Sequence, residues 1–505
     1  MMKHLANYFL YSISFCVIFF GCKTIKKNDS ASMGNNVSVN ISSEILNANY
    51  LGNGVEWDPY DEAEAWGTPL SDADWEKLFK RVNFMKMPYV RCMINSPYKY
   101  YNKSTGKYDK TRNLSSLSKL LRYCTENNIT VIYGEYNPPD WSMNEDDKWV
   151  EMSVDYLNYL VNDLGFSCIK YFVIFNEPDG YWASTNGNYE IWKKMAFKFT
   201  EKMKTYPGLF EKVKLAAPDV VMDYKNNASL YDAPGWVSQS AKDMDNLIGI
   251  YDVHAYPGQA QLRNGEFPAE LLKYKKCIPS NKRIVLGEAG YKYWRAPDAK
   301  LMEEYNKRAK THPYTKGTDA NMFVYDFFYG LDMPLLCMEV MNNGFSGVAA
   351  WMLDDAMHSN GDSGVPKDIK LWGMWNILGE ELFKMPEEEN IRPWYYTWSL
   401  MCRYFPQGCN LLKFNTLEDK NIRFSVAEFN GKITFAAVNF GDTDKKINLK
   451  LPRSVKNGKM YIYEENNRPV DKDNLPIPVK TGINIKKDFS FELKAQSFAL
   501  ITNLD

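Results

Sequence analysis

The sequence predicts an α/β protein, with a (β/α)8 TIM barrel followed by a small C-terminal all-β sandwich. Eight short apolar runs alternate with helix-like stretches between residues 45 and 407, a pattern typical of parallel strands joined by crossover helices. No glycine-rich turn follows the first run, which disfavours an open doubly wound sheet. From residue 408 to residue 505 the pattern changes to short alternating strands, which predicts the sandwich.

The barrel strands are predicted from runs rich in β-branched and aromatic residues. They cover residues 51–57, 89–94, 129–134, 171–175, 213–217, 248–253, 283–286 and 348–351. Between them apolar side chains recur with helical spacing, as in residues 75–85, where Ser71 and Asp74 predict a capping box at the helix start. In the C-terminal region, Asn430-Gly431 separates two alternating runs and predicts a β-hairpin.

The first 22 residues are predicted to be a lipoprotein signal peptide. Lys3 and His4 precede an apolar stretch over residues 9–20 that is short for a bilayer span. A glycine then precedes Cys22, which is similar to a bacterial lipobox, in which the cysteine is lipidated. Residues 23–44 are expected to hold a flexible tether and an edge strand of the sandwich. The alternative is an ordinary cleaved signal with a chance cysteine.

The expected location is therefore the envelope of a bacterium, with a lipid anchor in a membrane and the surface or periplasmic side left open.

Composition limits the other partners. The 505 residues include 61 Lys and Arg against 62 Asp and Glu, so no net charge is available to hold nucleic acid. Aromatic residues make up 15% of the chain, and their faces stack on sugar rings as well as filling cores. With four histidines, neither a metal centre nor a cofactor is expected.

Two carboxylates follow strand-like runs at positions where barrel enzymes carry their chemistry. Glu177 lies in Asn176-Glu177-Pro178 after the fourth run, and Glu288 follows the seventh. A carboxylate is costly at the edge of an apolar core unless it is paired or used. Because the carboxyl ends of barrel strands face one site, the two could form the pair that glycosidic hydrolysis requires. The alternative is a structural salt-bridged pair at the barrel rim.

These motifs resemble clan A of the glycoside hydrolases, the retaining (β/α)8-barrel group, over roughly residues 45–405. The pattern is as compatible with the family 30 or 39 branches as with less studied polysaccharide-degrading ones, and the family is not assigned. The resemblance implies that Glu177 is the acid/base and that Glu288 is the nucleophile. It also implies a covalent glycosyl-enzyme intermediate.

The resemblance further implies substrate-binding roles for five residues. Asn176 would bond the sugar 2-hydroxyl, and Arg91 would keep the nucleophile ionised. His254 and Tyr256 match a strand-six pair whose Tyr hydrogen-bonds the nucleophile. Trp351 matches the strand-eight Trp that forms the floor of the subsite for the attacked sugar.

Four more residues are predicted to contact substrate because of their positions. Glu56 and Glu135 follow the first and third strands, with structural pairing as the equal alternative. Trp141 and Trp182 lie on rim loops and are candidates for stacking on sugar rings, or else core residues.

We therefore expect a retaining hydrolase of β-linked oligo- or polysaccharides. The alternative is a catalytically inactive saccharide-binding lipoprotein on the same barrel.

Overall fold

The computed structural model describes residues 35–95, 100–312, 320–359 and 368–505. Cys22, the signal peptide and the tether up to residue 34 lie outside the described residues. From Asn35 to Asp505 the chain forms one compact unit. None of the helices in the described ranges is long and apolar enough to cross a membrane.

The strands are numbered in chain order. They are β1 (Asn36–Asn47), β2 (Gly52–Glu56), β3 (Tyr89–Ile94), β4 (Tyr101–Asn102), β5 (Lys107–Tyr108), β6 (Thr130–Glu135), β7 (Ile169–Val173), β8 (Lys214–Val221), β9 (Ile248–Ala255), β10 (Ile284–Ala289), β11 (Gly347–Ala350), β12 (Asn410–Phe414), β13 (Ile422–Phe429), β14 (Lys432–Asn439), β15 (Lys445–Lys450), β16 (Val455–Tyr463), β17 (Lys480–Ile485), β18 (Asp488–Leu493) and β19 (Ser497–Thr502).

The α-helices are numbered in the same way. They are α1 (Asp61–Ala65), α2 (Asp72–Met85), α3 (Leu114–Glu126), α4 (Asp147–Asn158), α5 (Tyr189–Lys204), α6 (Leu209–Lys212), α7 (Ala233–Met244), α8 (Gln259–Arg263), α9 (Phe267–Lys275), α10 (Ala299–Ala309), α11 (Tyr329–Asn342), α12 (Gly379–Phe383) and α13 (Trp394–Tyr404). A π-helical turn, Tyr159–Asp163, follows α4, and 3-10 turns occupy Trp141–Met143, Ala296–Asp298, Met322–Tyr325, Asp355–Met357 and Pro386–Glu389.

The predicted barrel is confirmed. Within the described residues, β2, β3, β6, β7, β8, β9, β10 and β11 close into a parallel barrel, with β11 paired to β2. The interior is filled by side chains from successive strands, among them Tyr89, Ile132, Ile250 and Val285. Helices cover the outside, so the strands are buried on both faces and their sequences are apolar runs.

Two local predictions are also confirmed, and both follow from backbone hydrogen-bonding needs. At the start of α2 the Ser71 hydroxyl accepts from the Asp74 N–H at 3.2 Å. The Asp74 carboxylate accepts from the Ser71 N–H at 2.9 Å, which completes the capping box. Between β13 and β14, Asn430 and Gly431 have φ values of 47° and 74°, the left-handed conformation that a tight hairpin turn requires.

The C-terminal strands form a mixed sheet in which β1 is an interior strand. In the described residues the order is β17-β16-β19-β14-β13-β12-β1-β15-β18. The first half of β1 pairs parallel with β15, and its second half pairs antiparallel with β12. The expected edge strand within residues 23–44 is instead an interior strand of the sheet, with a partner on each side. Val37, Val39 and Ile41 alternate into the core, and the strand continues to Asn47 because β12 provides a second partner.

The barrel and the C-terminal strands pack directly on each other. The Tyr463 hydroxyl donates to the Phe327 carbonyl at 2.9 Å, and the two rings stack with centroids 4.6 Å apart. Arg423 on β13 pairs with Glu339 on α11 at 2.6 Å. The C-terminal strands therefore support α11, which packs outside the barrel.

Candidate active site

The site is organised around Arg91 on β3, whose side chain is fully buried. Its Nη1 donates to both Glu56 oxygens at 2.8 Å and to Glu288 at 2.6 Å. Its Nη2 donates to the Asn176 side-chain oxygen at 2.7 Å and to Asp219 at 3.0 Å. These four partners lie on or just after β2, β10, β7 and β8. One guanidinium therefore fixes the ends of four other strands.

Strand alternation and two local register shifts orient these side chains towards the barrel interior. On β3, Tyr89 and Met93 face the interior, and Arg91 between them has the same orientation because alternate residues share a face. The pairing of β10 shifts register near Glu288. The pairing of β8 shifts register at Asp219, whose φ is 67°. Such shifts re-aim side chains at barrel rims.

His254, on β9, connects two of the carboxylates. Its Nδ1 lies 2.9 Å from Glu177 Oε1, and its Nε2 lies 3.0 Å from Asp219 Oδ1. Ionised carboxylates only accept hydrogen bonds, so both ring nitrogens must donate and the ring is an imidazolium. Burial would lower the pKa of His254, but the charges of Glu288 and Asp219 outweigh it and raise that pKa well above 6.5.

The two predicted catalytic carboxylates lie together, with one oxygen of Glu177 and one of Glu288 within 4.8 Å of each other. The Tyr256 hydroxyl donates to Glu288 Oε2 at 2.7 Å, and the Trp182 indole N–H donates to Glu177 Oε2 at 2.6 Å. Burial would raise the pKa of Glu177, but the hydrogen bond and charge of His254 outweigh it and lower that pKa. Glu177 is therefore ionised, and the proton of this pair lies on His254.

Three other buried carboxyl groups of the site, those of Glu56, Asp252 and Asp219, have shifted pKa values. Burial, with the charges of Asp58 and Glu288, raises the pKa of Glu56 against the attraction of Arg91. Burial also raises the pKa of Asp252 to about 8. Burial would raise the pKa of Asp219 as well, but Arg91 and His254 lower it to about 2. The ionised carboxylate of Asp219 therefore contacts both cations of the site, Arg91 and His254.

Two sets of side chains are close enough to share a cation. Glu177, His254 and Glu288 form one set, and Asp219, Asp252 and His254 form the other, each with ligand atoms within 4.8 Å. Both sets depend on His254, and an imidazole must lose its proton before it can bind a metal. The hydrogen bonds of His254 instead fit an acid–base network among the carboxylates.

A second hydrogen-bonded cluster, not predicted from the sequence, lies beside Glu56. The Tyr136 hydroxyl donates to Asp58 Oδ2 at 2.8 Å and lies 3.2 Å from Glu56 Oε1. His358 Nε2 lies 2.5 Å from the same Asp58 oxygen. The His358 ring stacks on Trp351, with centroids 5.6 Å apart and planes 13° from parallel. This cluster therefore fixes the ring of the predicted subsite floor.

Two predicted residues are placed away from the carboxylates. Glu135 accepts hydrogen bonds from Tyr108 at 2.7 Å, Trp149 at 2.9 Å and Ser153 at 2.5 Å, outside the barrel. Strand alternation explains this orientation, because Ile132 faces inward on the same strand. Trp141 is 52% exposed on the rim, and no contact with Glu177 or Glu288 is present among the described residues.

The remaining predicted residues gather at one end of the barrel. They are Glu56, Arg91, Asn176, Glu177, Trp182, His254, Tyr256 and Glu288, with Trp351 on the adjoining strand end. Asp219, on β8, belongs to the same network and is not among the residues predicted from the sequence. Tyr136 could have been found by extending the inward alternation of β6 by two residues. Asp58 and His358 lie in loops that carry no periodic signal.

The chain was compared with known proteins. No protein-family model and no curated protein matches it. Among solved structures, a family 51 α-L-arabinofuranosidase from Bifidobacterium longum aligns over 92% of this chain and 99% of its own, at 11% identity and a TM-score of 0.62. A family 30 subfamily 8 xylanase from Clostridium acetobutylicum aligns over 93% and 99%, at 15% identity and 0.56.

A family 39 enzyme from Xanthomonas axonopodis pv. citri aligns over 92% of this chain and 96% of its own, at 10% identity and a TM-score of 0.55. At these identities the likeness shows the fold. The structural neighbours named here belong to families 30, 39 and 51. The predicted resemblance to the clan A barrel fold is thereby confirmed, with no family assigned.

We expect the ring of His254 to be protonated at pH 7, because the charges of Glu288 and Asp219 raise its pKa well above 6.5. Two-dimensional ¹H–¹⁵N spectra of the imidazole rings measure this protonation. His312, whose pKa burial lowers to about 4, is the internal control and should be neutral. Asp219→Asn removes one carboxylate and should lower the pKa of His254. A neutral His254 ring at pH 7 in the wild type would contradict the assignment.

Proposed function

We propose that the protein is a retaining glycoside hydrolase that cleaves β-linked oligo- or polysaccharides by double displacement. The observation that carries the proposal is the pair of carboxylate oxygens, one of Glu177 and one of Glu288, within 4.8 Å. Retaining enzymes need carboxyl groups about 5–5.5 Å apart, whereas inverting enzymes hold them about 6.5–9.5 Å apart to admit a water. Xylanase and arabinofuranosidase neighbours with the same fold support hydrolysis of a glycosidic bond.

In the first step Glu288 attacks the anomeric carbon while Glu177 protonates the leaving oxygen. Arg91 holds one Glu288 oxygen and Tyr256 holds the other, so the attacking carboxylate is oriented by two hydrogen bonds. Glu177 receives its proton from His254 Nδ1, 2.9 Å away. A bound sugar chain would exclude water from Glu177, whose side chain is 14% exposed, and desolvation favours its neutral form.

In the second step water attacks the glycosyl-enzyme and regenerates Glu288. Glu177 now accepts a proton from the water, and His254 can take that proton again. In the glycosyl-enzyme the Glu288 carboxyl is an uncharged ester. Its negative charge, which most raises the pKa of His254, returns when water breaks the ester bond. The proton therefore moves between the same two side chains in both halves of the cycle.

Asn176 and Trp351 supply substrate contacts in this proposal. The Asn176 side-chain oxygen accepts from Arg91 at 2.7 Å, which leaves its amide nitrogen to donate to a sugar hydroxyl. The Trp351 ring is held by the stacked His358 ring and can pack against the apolar face of the attacked sugar.

Incubation with 2-deoxy-2-fluoro-β-glycosides of several sugars should trap a covalent adduct on Glu288, detected by intact mass and peptide mapping. Glu288→Gln should abolish the adduct. Glu177→Gln should lower turnover of natural glycans about 10²–10⁴-fold, because it removes general acid–base catalysis. Glu381→Gln, at an exposed carboxylate on α12, is the matched control and should leave both measurements unchanged.

The absence of any adduct, together with no hydrolysis across a polysaccharide panel, would overturn the hydrolase proposal. Glycan binding that survives in that case would favour the inactive saccharide-binding protein. Activity that disappears with a chelator would instead point to a metal at one of the two His254-containing sets of ligands.

We also propose that the protein is a lipid-anchored bacterial envelope protein, modified at Cys22 after removal of the signal peptide. The support is the apolar stretch that ends in a glycine and Cys22, followed by Lys-rich polar sequence. The wild type should incorporate a labelled fatty acid and sediment with membranes. Cys22→Ala should lose the label, whereas Cys16→Ala, within the predicted signal, should keep it. An unlabelled wild type would contradict lipidation.

A further inference from the structure

A groove lies beside the catalytic centre, between the end of β10 and helix α10. It consists of two cavities of about 240 and 820 Å³. Both are lined by Tyr293, Trp294, Met302 and Asn306. The two cavities are therefore adjacent, and together they are called here the side groove.

The side groove begins one side chain away from the predicted nucleophile. Trp372, which lines the smaller cavity, packs edge-on against Tyr256 with centroids 5.7 Å apart. Tyr256 donates to Glu288 at 2.7 Å. Lys292, in the same cavity wall, places its ammonium 4.4 Å from the Tyr256 ring centroid. The groove therefore lies next to the Tyr256 side chain that holds Glu288.

The charge of the side groove is opposite to that of the catalytic centre. Among the residues that the structure describes, its lining includes one carboxylate, Glu303, and four cationic residues, Lys292, Arg295, Lys307 and Lys310. Arg295 pairs with Asp223 at 2.9 Å. No carboxylate within the described ranges pairs with Lys292 or Lys310. The groove therefore offers cations to an anionic ligand.

The groove also provides groups that recognise sugars. Trp294 is 60% exposed at the wall shared by the two cavities. The Trp372 indole N–H and the Tyr293 hydroxyl, both on buried side chains of the smaller cavity, have no hydrogen-bond partner in the described part of the chain. Buried donors without partners are costly, and both donor atoms lie beneath the groove surface.

We propose that the side groove is a subsite for an anionic sugar unit, one that carries a carboxylate or a sulfate, on the glycan cleaved at Glu288. Lys292 and Lys310 would bind the anionic group, and Trp294 would stack on the ring. The preferred substrate class is therefore an acidic β-glycan. This inference rests on the proposed function, because it places the groove along the same substrate.

The test uses binding, so that it does not depend on turnover. Full-length Glu288→Gln protein is titrated calorimetrically with paired glycans that differ in one group. The pairs are a glucuronic-acid-substituted xylan with its carboxyl-reduced form, a β-glucuronan with its carboxyl-reduced form, and a sulfated xylan with its desulfated form. We expect the acidic member of at least one pair to bind about tenfold more tightly, with the preference falling as salt rises.

Variants in the same background assign the preference to the groove. Lys292→Gln with Lys310→Gln should bring the affinity ratio close to one, whereas Lys432→Gln, at an exposed position on β14, should preserve it. Trp294→Ala should weaken both members of a pair. A preference in a pair with a carboxyl-reduced form assigns the ligand as a carboxylate. A preference in the sulfated pair assigns it as a sulfate.

Equal affinity for both members of every pair, or a preference that survives the double lysine variant, would overturn the subsite. Hydrolysis by the wild type is measured separately. Hydrolysis without an acidic preference would leave the hydrolase standing and remove the subsite. An acidic preference without hydrolysis would support the subsite and count against the hydrolase.

Discussion

The buried guanidinium of Arg91 is the constraint on which the rest of the site depends. It contacts three carboxylates and one side-chain amide from four other strand ends. A buried charge that loses its partners costs about 3–5 kcal/mol, so a barrel that folds around Arg91 must bring these groups together. The positions of Glu288 and Asn176 therefore follow from the ion-pair network, and the chemistry uses an arrangement that folding already requires.

His254 complements Arg91 on the other side of the site. Arg91 contacts Glu56, Glu288 and Asp219. The imidazolium of His254 bridges Asp219 and Glu177. Because its Nδ1 lies 2.9 Å from Glu177 Oε1, the two side chains form a pair that can give and take back one proton. The two carboxyls thereby acquire different environments, which separates the acid/base role from the nucleophile role.

The barrel and the strand-end positions of Glu177 and Glu288 could be predicted from the sequence, because apolar runs and turn residues report buried strands and their ends. The orientation of Glu135 also follows a sequence rule, strand alternation, but only once an inward residue such as Ile132 is known. The interior position of β1 could not be predicted, since its pairing with β12 and β15 joins residues about 370 to 410 positions apart. The same holds for Asp58 and His358, which meet through loops.

The most direct test of this account is the stereochemistry of the first product, followed by ¹H NMR of the anomeric proton during hydrolysis of a β-linked substrate. The closeness of Glu177 and Glu288 predicts that the β-anomer appears first and that the α-anomer grows in only through mutarotation. An α-anomer as the first product would show inversion. That result would contradict a nucleophilic role for Glu288.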